Sequence, residues 1–393
     1  MNPDPIVIAS AARTPMGAFQ GELKGFTAPE LGAAAIRAVV ERAKLTPEDV
    51  QEVLMGCVLP AGLGQAPARQ AALGAGIPVG TSCTTLNKVC GSGMKAVMMG
   101  CDAIIAGTST VVVAGGMESM TNAPYLLTRA RGGYRMGHDK VYDHMFLDAL
   151  EDAYEGVAMG NYGELCADKY AFSREEQDAF ALESLARATQ AIEQGRFKNE
   201  IVPMTVKIGR ADTVVDTDEQ PGSARPDKIP QLKPAFKQGG TITAANASSI
   251  SDGAAALVLM RQSEAEKRGV EILAVIRAQA MFAQEPAWFT TAPVGAMKKV
   301  LDLCRWRAED VDLYEINEAF AVVAMAGMKE LGIPRDRLNV HGGATALGHP
   351  LGASGARILV TLLSALQTYD KKTGVASLCI GGGEATAVAI ERV

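Results

Sequence analysis

The sequence predicts a layered α/β protein made of two similar halves, with a further domain inserted into the first. The chain repeats itself: residues 31–50, LGAAAIRAVVERAKLTPEDV, align with residues 292–311, APVGAMKKVLDLCRWRAEDV, at an offset of 261. Further on, VVVAGGMES at 111–119 corresponds to SLCIGGGEA at 377–385, and the offset has drifted only to 266. After Gly383 the second half runs straight into the apolar segment 385–390, whereas the first half reaches its counterpart, 254–260, only after residues 120–249. Those residues read as an insertion between two strands.

Each element has a local reason. In both copies the opening segment is amphipathic at helical spacing and ends on Glu-Asp-Val, a polar turn. Apolar runs of strand length follow, at 53–59 and 313–320. Gly91-Ser92-Gly93 then opens a helix in which Met94, Val97, Met98, Cys101, Ile104 and Ile105 recur at the 3.6 period of a buried face. Ala353-Ser354-Gly355 opens its counterpart, with Ile358, Leu362 and Leu366 facing inward. The insertion is more polar and carries one helix signed by Ser173 and Glu176 at capping-box spacing and stopped by Gly195. Its prolines at 221, 226, 230 and 234 predict an extended excursion. Alternating strands and helices predict mostly parallel sheets, in which ligands bind at the carboxyl ends of strands. Equivalent strand ends from the two halves are expected to face each other across one site. The boundaries implied are 1–119 with 250–270 for the first half, 120–249 for the inserted loop domain, and 271–393 for the second half.

Composition narrows the class. The 393 residues suffice for two or three domains with well-covered cores, and 48% hydrophobic with 21% charged residues describe an ordinary globular protein. A formal charge of -6 argues against nucleic acid as a bulk partner. No run approaches eighteen apolar residues, and residues 1–8 lack a basic segment followed by an apolar core, so neither a membrane span nor a secretory signal is expected. The seven cysteines (57, 83, 90, 101, 166, 304, 379) are odd in number and hold no C-x-x-C pair, which disfavours a disulfide framework and a zinc site and favours a reducing cytoplasm.

Four residues stand out as carriers of chemistry. Cys90 falls at or just before a helix N-terminus, where the macrodipole and unpaired N–H groups favour a thiolate, and Gly91 and Gly93 leave room beside the sulfur. Taken alone it is equally consistent with a buried structural cysteine before a glycine turn. His349, followed by Pro350, lies on the glycine-rich loop 339–355 rather than on an apolar helix face. His341, in the same loop, reads as structural. Cys379 ends a strand just before Gly381-Gly382-Gly383, at the expected site edge; a core cysteine is the bland alternative. Asn317 ends the apolar run from Leu313, where its amide suits a water or an oxyanion as well as a turn or cap.

VCGSG at 89–93, GGMES at 115–119, NEAFA at 317–321, GGATALGHPLGASGAR at 342–357 and CIGGG at 379–383, in this order, resemble the signatures of the thiolase family. ARTPMGAFQG at 12–21 and NASSISDGAAALVL from 246 extend the resemblance nearly end to end, and the branch it fits best forms or cleaves acetoacetyl-CoA. The resemblance implies a duplicated α/β/α core with an inserted loop domain, and ping-pong Claisen condensation of two acetyl-CoA, or the reverse thiolysis. It implies Cys90 as the acylated nucleophile, His349 as its base, and Cys379 as the group moving the α-proton, with a pKa nearer neutrality. Asn317 would hold a water that completes one oxyanion hole with His349; the N–H groups of Cys90 and Gly381 would form the other. Met159, Phe236, Ala244 and Ser248 would line the pantetheine channel, with Phe289 at the wall of the acyl pocket. The partners implied are acetyl-CoA, acetoacetyl-CoA and CoA, with no metal or redox cofactor, in a homotetramer using residues 120–145, with Arg129, Arg131, Tyr134 and Arg135 on its surface.

Three positions depart from the common pattern. Ala158 precedes Met159-Gly160 where His is frequent, His341 stands where Asn is frequent, and Phe289 stands where Met is frequent. The alternatives are a 3-ketoacyl-CoA thiolase of broader chain length, a ketoacyl synthase-like condensing enzyme, and a silent CoA-binding scaffold. Condensing enzymes of the second kind pair their cysteine with two histidines, where this chain has Asn317 and Cys379. A scaffold gives no reason for two cysteines.

Overall fold

The computed structural model describes residues 4–208 and 211–393, so the beginning of the 1–8 stretch lies outside the described residues. The main strands are β1 (Ile6–Arg13), β2 (Glu52–Gly56), β3 (Ser82–Leu86), β4 (Val111–Ser119), β5 (Ser251–Arg261), β6 (Ala274–Ala283), β7 (Leu313–Ile316), β8 (Thr373–Ile380) and β9 (Glu384–Arg392). With the two-residue strand Gly17–Ala18 they make a ten-stranded sheet in the order β3-β2-β4-β5-β1-β6-β9-β8-β7. Read outward from the middle, β1-β5-β4-β2 matches β6-β9-β8-β7, which is the predicted duplication expressed as topology. The halves join through a two-residue ladder, Val7 to Val275 and Ile8 to Ala274.

The expectation of mostly parallel sheets is overturned. Only β2 with β3, β2 with β4, and β7 with β8 run parallel; the pairs from β4 through β5, β1, β6 and β9 to β8 are antiparallel. The reason is local in the second half, where Gly381-Gly382-Gly383 closes a tight hairpin between β8 and β9, and a hairpin can only pair antiparallel. The first half repeats that pairing across its long insertion, between β4 and β5.

Strand alternation builds the layers. In β4, Val111 and Val113 join Leu31, Ile36 and Val39 of α1 (Ala28–Arg42) and Ala68 and Ala71 of α2 (Pro67–Gly74) in an outer core. Val112 and Ala114 face inward, onto Met94 and Val97 of α3 (Ser92–Ala106). In the second half, Ala376 and Leu378 of β8 face that same inner core, while Val375 and Cys379 face the helices Ala292–Cys304 and Ala321–Leu331. A middle layer of α3 and its sister Leu351–Thr368 is thus enclosed by both half-sheets. That sister helix is buried from Leu351 through Leu366, not on one face only, as a helix apolar all round should be. The 89–106 window has the length and hydropathy of a membrane-crossing helix, and here it spends that character on the central layer. Ile105 is the exception to its predicted face: it is 57% exposed, since successive helix residues point about 100° apart and the sheet covers the Ile104 side.

In the insertion, α4 (Gly160–Tyr170) precedes α5 (Arg174–Glu193), which starts at the reciprocal Ser173–Glu176 capping box and is followed by Gly195 at φ +68°. The proline run is not wholly extended: Glu219–Ser223 and Pro226–Gln231 form short helical turns, with Pro226 at a first-turn position where its missing N–H costs nothing. The longer helices of the second half are α6 (Ala292–Cys304), α7 (Ala321–Leu331) and α8 (Leu351–Thr368).

The first turns of α3 and α8 meet backbone to backbone. A Cβ on Gly93 would lie 2.8 Å from the carbonyl oxygen of Gly352, and one on Gly116 of β4 would overlap that same oxygen. Gly116→Ala is therefore expected to cost on the order of 3 kcal/mol. Calorimetry of the variant should show a thermal midpoint several degrees lower; an unchanged midpoint would contradict the close approach.

Candidate active site

Cys90 lies on the turn between β3 and α3. Val89 before it sits at φ +46°, a left-handed value that costs a β-branched residue roughly 1–3 kcal/mol. Side chains hold it there: Val89 N–H donates to Asn87 Oδ1 at 2.8 Å, Ser92 Oγ donates to Val89 O at 2.7 Å, and Lys88 N–H donates to Ser92 Oγ at 2.8 Å. Lys88 is also ion-paired with Glu384 at the start of β9, in the other half. Gly91 is the N-cap of α3, so the sulfur stands where the sequence put it. The thiolate expected there does not win in the resting protein. Burial pushes the Cys90 thiol up to about 11, with the Glu118 carboxylate adding to the rise, while the N–H groups of Gly381 and Cys90 itself pull the other way.

His349 occupies the turn that starts α8, after Gly348 at φ +99° and before the N-cap Pro350. Its N–H donates to Ser249 O at 3.1 Å. Ring Nδ1 is 2.5 Å from Ser354 Oγ, and that hydroxyl donates to Pro350 O at 2.9 Å. A hydroxyl whose proton is used in this way accepts at the ring, so Nδ1 carries the hydrogen and Nε2 is left as the base. Burial, helped by the Arg357 charge, lowers the His349 pKa to about 3, which keeps the ring neutral at ordinary pH. Asn317, just past β7, places Nδ2 3.4 Å from Nε2, and its Oδ1 has no partner among the described residues. A buried acceptor left open beside an imidazole is a place for a water or a substrate oxygen.

Cys379 is the penultimate residue of β8 and fully buried. Its thiol is raised well above the ordinary value, first by burial and then by charge on Cys90, so the two sulfurs are near enough to sense each other. The near-neutral pKa expected for Cys379 is thereby overturned for the unliganded protein: a dry strand end penalises the thiolate. Gly381 lies one residue past the strand, its N–H aimed at the Cys90 sulfur.

The residues named for CoA gather on the neighbouring wall, with one at its edge. A methyl on Gly381 would meet Met159 Cε at 3.6 Å. Phe236 and Phe289 both set ring edges against Phe320, at 6.0 and 6.4 Å between centroids. Ser248 N–H donates to Ala319 O at 2.9 Å, beside the same aromatic. Ala244 is exposed on the turn between Thr243 and Asn246. His341 lies elsewhere, buried against Phe197 and Tyr369 near the far end of α8, with its pKa lowered to about 4 by burial.

Three residues of this site carried no role in the sequence reading. Ser354 sets the His349 tautomer. Glu318, inside NEAFA, accepts from Ser184 Oγ of α5 at 2.8 Å, Asn339 Nδ2 at 2.8 Å and Thr345 Oγ at 2.6 Å, tying the glycine loop to the insertion. Glu118, inside GGMES, is wholly buried. A carboxylate within an apolar run was the available signal for both acids, since such groups are seldom buried without donors waiting for them.

Residues 6–263 match the thiolase N-terminal domain model and residues 270–392 the thiolase C-terminal domain model. This chain belongs to the thiolase family. Acetyl-CoA acetyltransferase 2 of Arabidopsis thaliana is 52% identical over all of this chain and 98% of its own length, and acetyl-CoA acetyltransferase of Pseudomonas aeruginosa is 50% identical over 98% and 99%. Among solved thiolase structures, Acat5 thiolase from Ascaris suum in complex with coenzyme A is similar at a TM-score of 0.94 and 43% identity, over 99% of this chain and 100% of that one. The Bacillus anthracis acetyl-CoA acetyltransferase is similar at a TM-score of 0.97 and 40% identity, over 99% of each chain.

The thiolase site makes Ser354 testable. Ser354→Ala frees Nδ1 from its acceptor, so acylation of Cys90 should slow by roughly 10²-fold while the protein stays folded. Rapid-quench measurement of acetyl-enzyme formation reads this directly, and an unaltered rate would contradict the tautomer assignment.

Proposed function

We propose that this protein is an acetyl-CoA C-acetyltransferase that condenses two acetyl-CoA into acetoacetyl-CoA and CoA, or runs the reverse thiolysis. What supports the reading is two groupings, Cys90 with Gly381 and Cys379, and His349 with Asn317, with Cys90 and His349 on turns before helices whose starts touch at Gly93 and Gly352, in a chain about 50% identical over its whole length to acetyl-CoA acetyltransferases. Those full-length relatives speak against the ketoacyl synthase-like alternative.

The chemistry follows from the geometry. His349 Nε2 takes the Cys90 proton as the sulfur attacks the thioester carbonyl, and the proton leaves with the CoA thiol. Because resting thiol and imidazole are both neutral, transfer accompanies attack and precedes no stable ion pair. The N–H groups of Cys90 and Gly381, already aimed at the sulfur, suit the oxyanion that grows beside it. In the second half-reaction Cys379 takes the α-proton of the incoming acetyl-CoA as its own thiol proton passes to His349 Nε2. The Nε2–H so formed and a water on Asn317 hold the enolate oxygen, and as the carbanion attacks acetyl-Cys90 that sulfur leaves with the His349 proton. CoA thioesters serve as substrates, and no added cofactor enters these steps. Binding of the long CoA moiety along Met159, Phe236 and Ser248, with Ala244 at the rim, positions the short reacting acyl group.

Phe289, only 3% exposed and packed edge-on against Phe320, fills the place the resemblance gives to the acyl-pocket wall, which suits a short chain. The surface of residues 120–145, with Met136 98% and Tyr125 68% exposed among arginines, suits a contact between subunits of a homotetramer. Seven free cysteines suit a reducing cytoplasm.

Purified protein should consume acetoacetyl-CoA in a spectrophotometric assay only when CoA is added; no CoA-dependent loss would overturn the proposal. Cys90→Ser should form no acetyl-enzyme, whereas Cys379→Ala should acylate yet condense roughly 10²–10⁴-fold more slowly. Failure of acylation in both variants would refute the division of labour. Phe289→Ala should raise the ratio of longer to shorter ketoacyl-CoA turnover, read on a substrate panel.

A further inference from the structure

Glu118 is the second-to-last residue of β4, and its side chain is fully buried. Oε2 accepts from the N–H groups of Val58 at 2.9 Å and Gly352 at 2.8 Å; Oε1 accepts from Leu59 N–H at 3.1 Å and from the Cys57 thiol at 3.7 Å. Three backbone N–H groups and a thiol thus surround the carboxylate. A Cβ on Gly352 would lie 2.8 Å from Oε2, so the fit leaves no room for a water between acid and helix.

The bonds lead in two directions. Gly352 is the second residue of α8, three positions after His349, and its N–H is one of the donors a helix start leaves unpaired. Glu118 therefore caps the helix that carries the base, from the other half of the molecule, with negative charge at the positive end of the helix. In the other direction, the carbonyl of Val58 accepts from Asn87 Nδ2 at 3.3 Å, and Asn87 Oδ1 holds the N–H of Val89 in its left-handed turn. One side chain is tied both to the turn before Cys90 and to the helix behind His349.

We propose that Glu118 is a positioning residue for the thiolase reaction, a buried carboxylate that sets the Cys90 turn against the His349 helix across the junction of the two halves. This rests on the roles given above to Cys90 and His349. Nothing in the chemistry needs Glu118 to touch substrate; it acts through the backbone it holds. Its charge is a second handle on the same site. Burial raises the Glu118 carboxyl to about 7 against the pull of its backbone donors, and its ionised form raises the Cys90 thiol; the Cys57 thiol donates to the same carboxylate, and charge on Cys90 in turn raises Cys379.

Glu118→Gln removes the charge and turns an amide NH₂ toward one of the N–H donors. Thiolysis kcat should fall roughly 10²-fold, with KM for CoA within about twofold, as expected for displaced reacting groups. Alkylation of Cys90 by iodoacetamide, located by mass spectrometry, should move the opposite way and become roughly 3- to 10-fold faster at about pH 8, where Glu118 is ionised in the parent, because the thiol has lost a repelling charge. A merely structural role would loosen the site and speed alkylation as much in Glu118→Asp as in Glu118→Gln, an outcome that would overturn the proposal. Glu118→Asp keeps the charge but is one methylene short, so kcat should fall while alkylation stays within about twofold of the parent. Should the Gln variant fail to fold, the Asp variant decides alone. An unchanged kcat in either variant, or kcat and alkylation falling together in Glu118→Gln, would overturn the proposal. A parent protein without thiolysis would instead defeat the reading of the reaction, and the alkylation comparison would still report on Glu118 and Cys90.

Discussion

The first turns of α3 and α8 touch through glycine backbone, and most of what the site does descends from that contact. Gly93, Gly116 and Gly352 bring the two helix starts and β4 into backbone contact, and Gly355 lies against Met94. Both helix starts can then open toward one point, each preceded by a short turn that carries a reactive group, Cys90 on one and His349 on the other. Duplication makes the geometry: two copies of the same half present the same helix end, and the rough twofold relation between them brings those ends together. After that the copies diverge in what they place there. The hairpin of the second half supplies Cys379 and Gly381, and its shorter strand β7 supplies Asn317.

Holding such a junction needs polar groups inside the protein, and several of them pair with residues far along the chain. Arg13 of β1 makes a paired contact to Asp218 at 2.6 and 2.8 Å and a further one to Glu200 at 3.1 Å, all buried, which fastens the insertion to the first half. Glu318 does similar work between the insertion and the glycine loop. Buried charges of this kind contribute less to net stability than to fixing which segment sits where, because desolvation offsets much of their attraction. In this fold the placement is what the chemistry requires.

Much of this was legible in the sequence, for reasons that can be named. The duplication was visible because both copies keep their helical period and closing Glu-Asp-Val, and the insertion because one copy lacks it. The α5 start was legible because a capping box is a purely local signal. Cys90, His349, Cys379 and Asn317 stood out because reactive residue types beside glycines are rare in combination. Strand direction was not legible: alternating strands and helices suggested parallel pairing, and only the position of β9 and β5 beside β8 and β4 shows otherwise. The state of the sulfurs was also hidden, since a helix terminus near Cys90 can be read from sequence but the depth of burial that outweighs it cannot. Ser354, Glu118 and Glu318 were quoted within motifs without a role, because each acid joins nearer partners to one over a hundred residues distant and, for Ser354, the ring orientation is revealed only by coordinates.

The neutral sulfurs have one more effect, on damage. Peroxides and similar electrophiles react with thiolates far faster than with thiols, and with open sites faster than with closed ones. Cys379 has both protections, since it is wholly buried and its thiol is raised well above the ordinary value. Cys90, half-buried, has only the raised thiol, so its resistance to small oxidants lasts as long as it stays protonated.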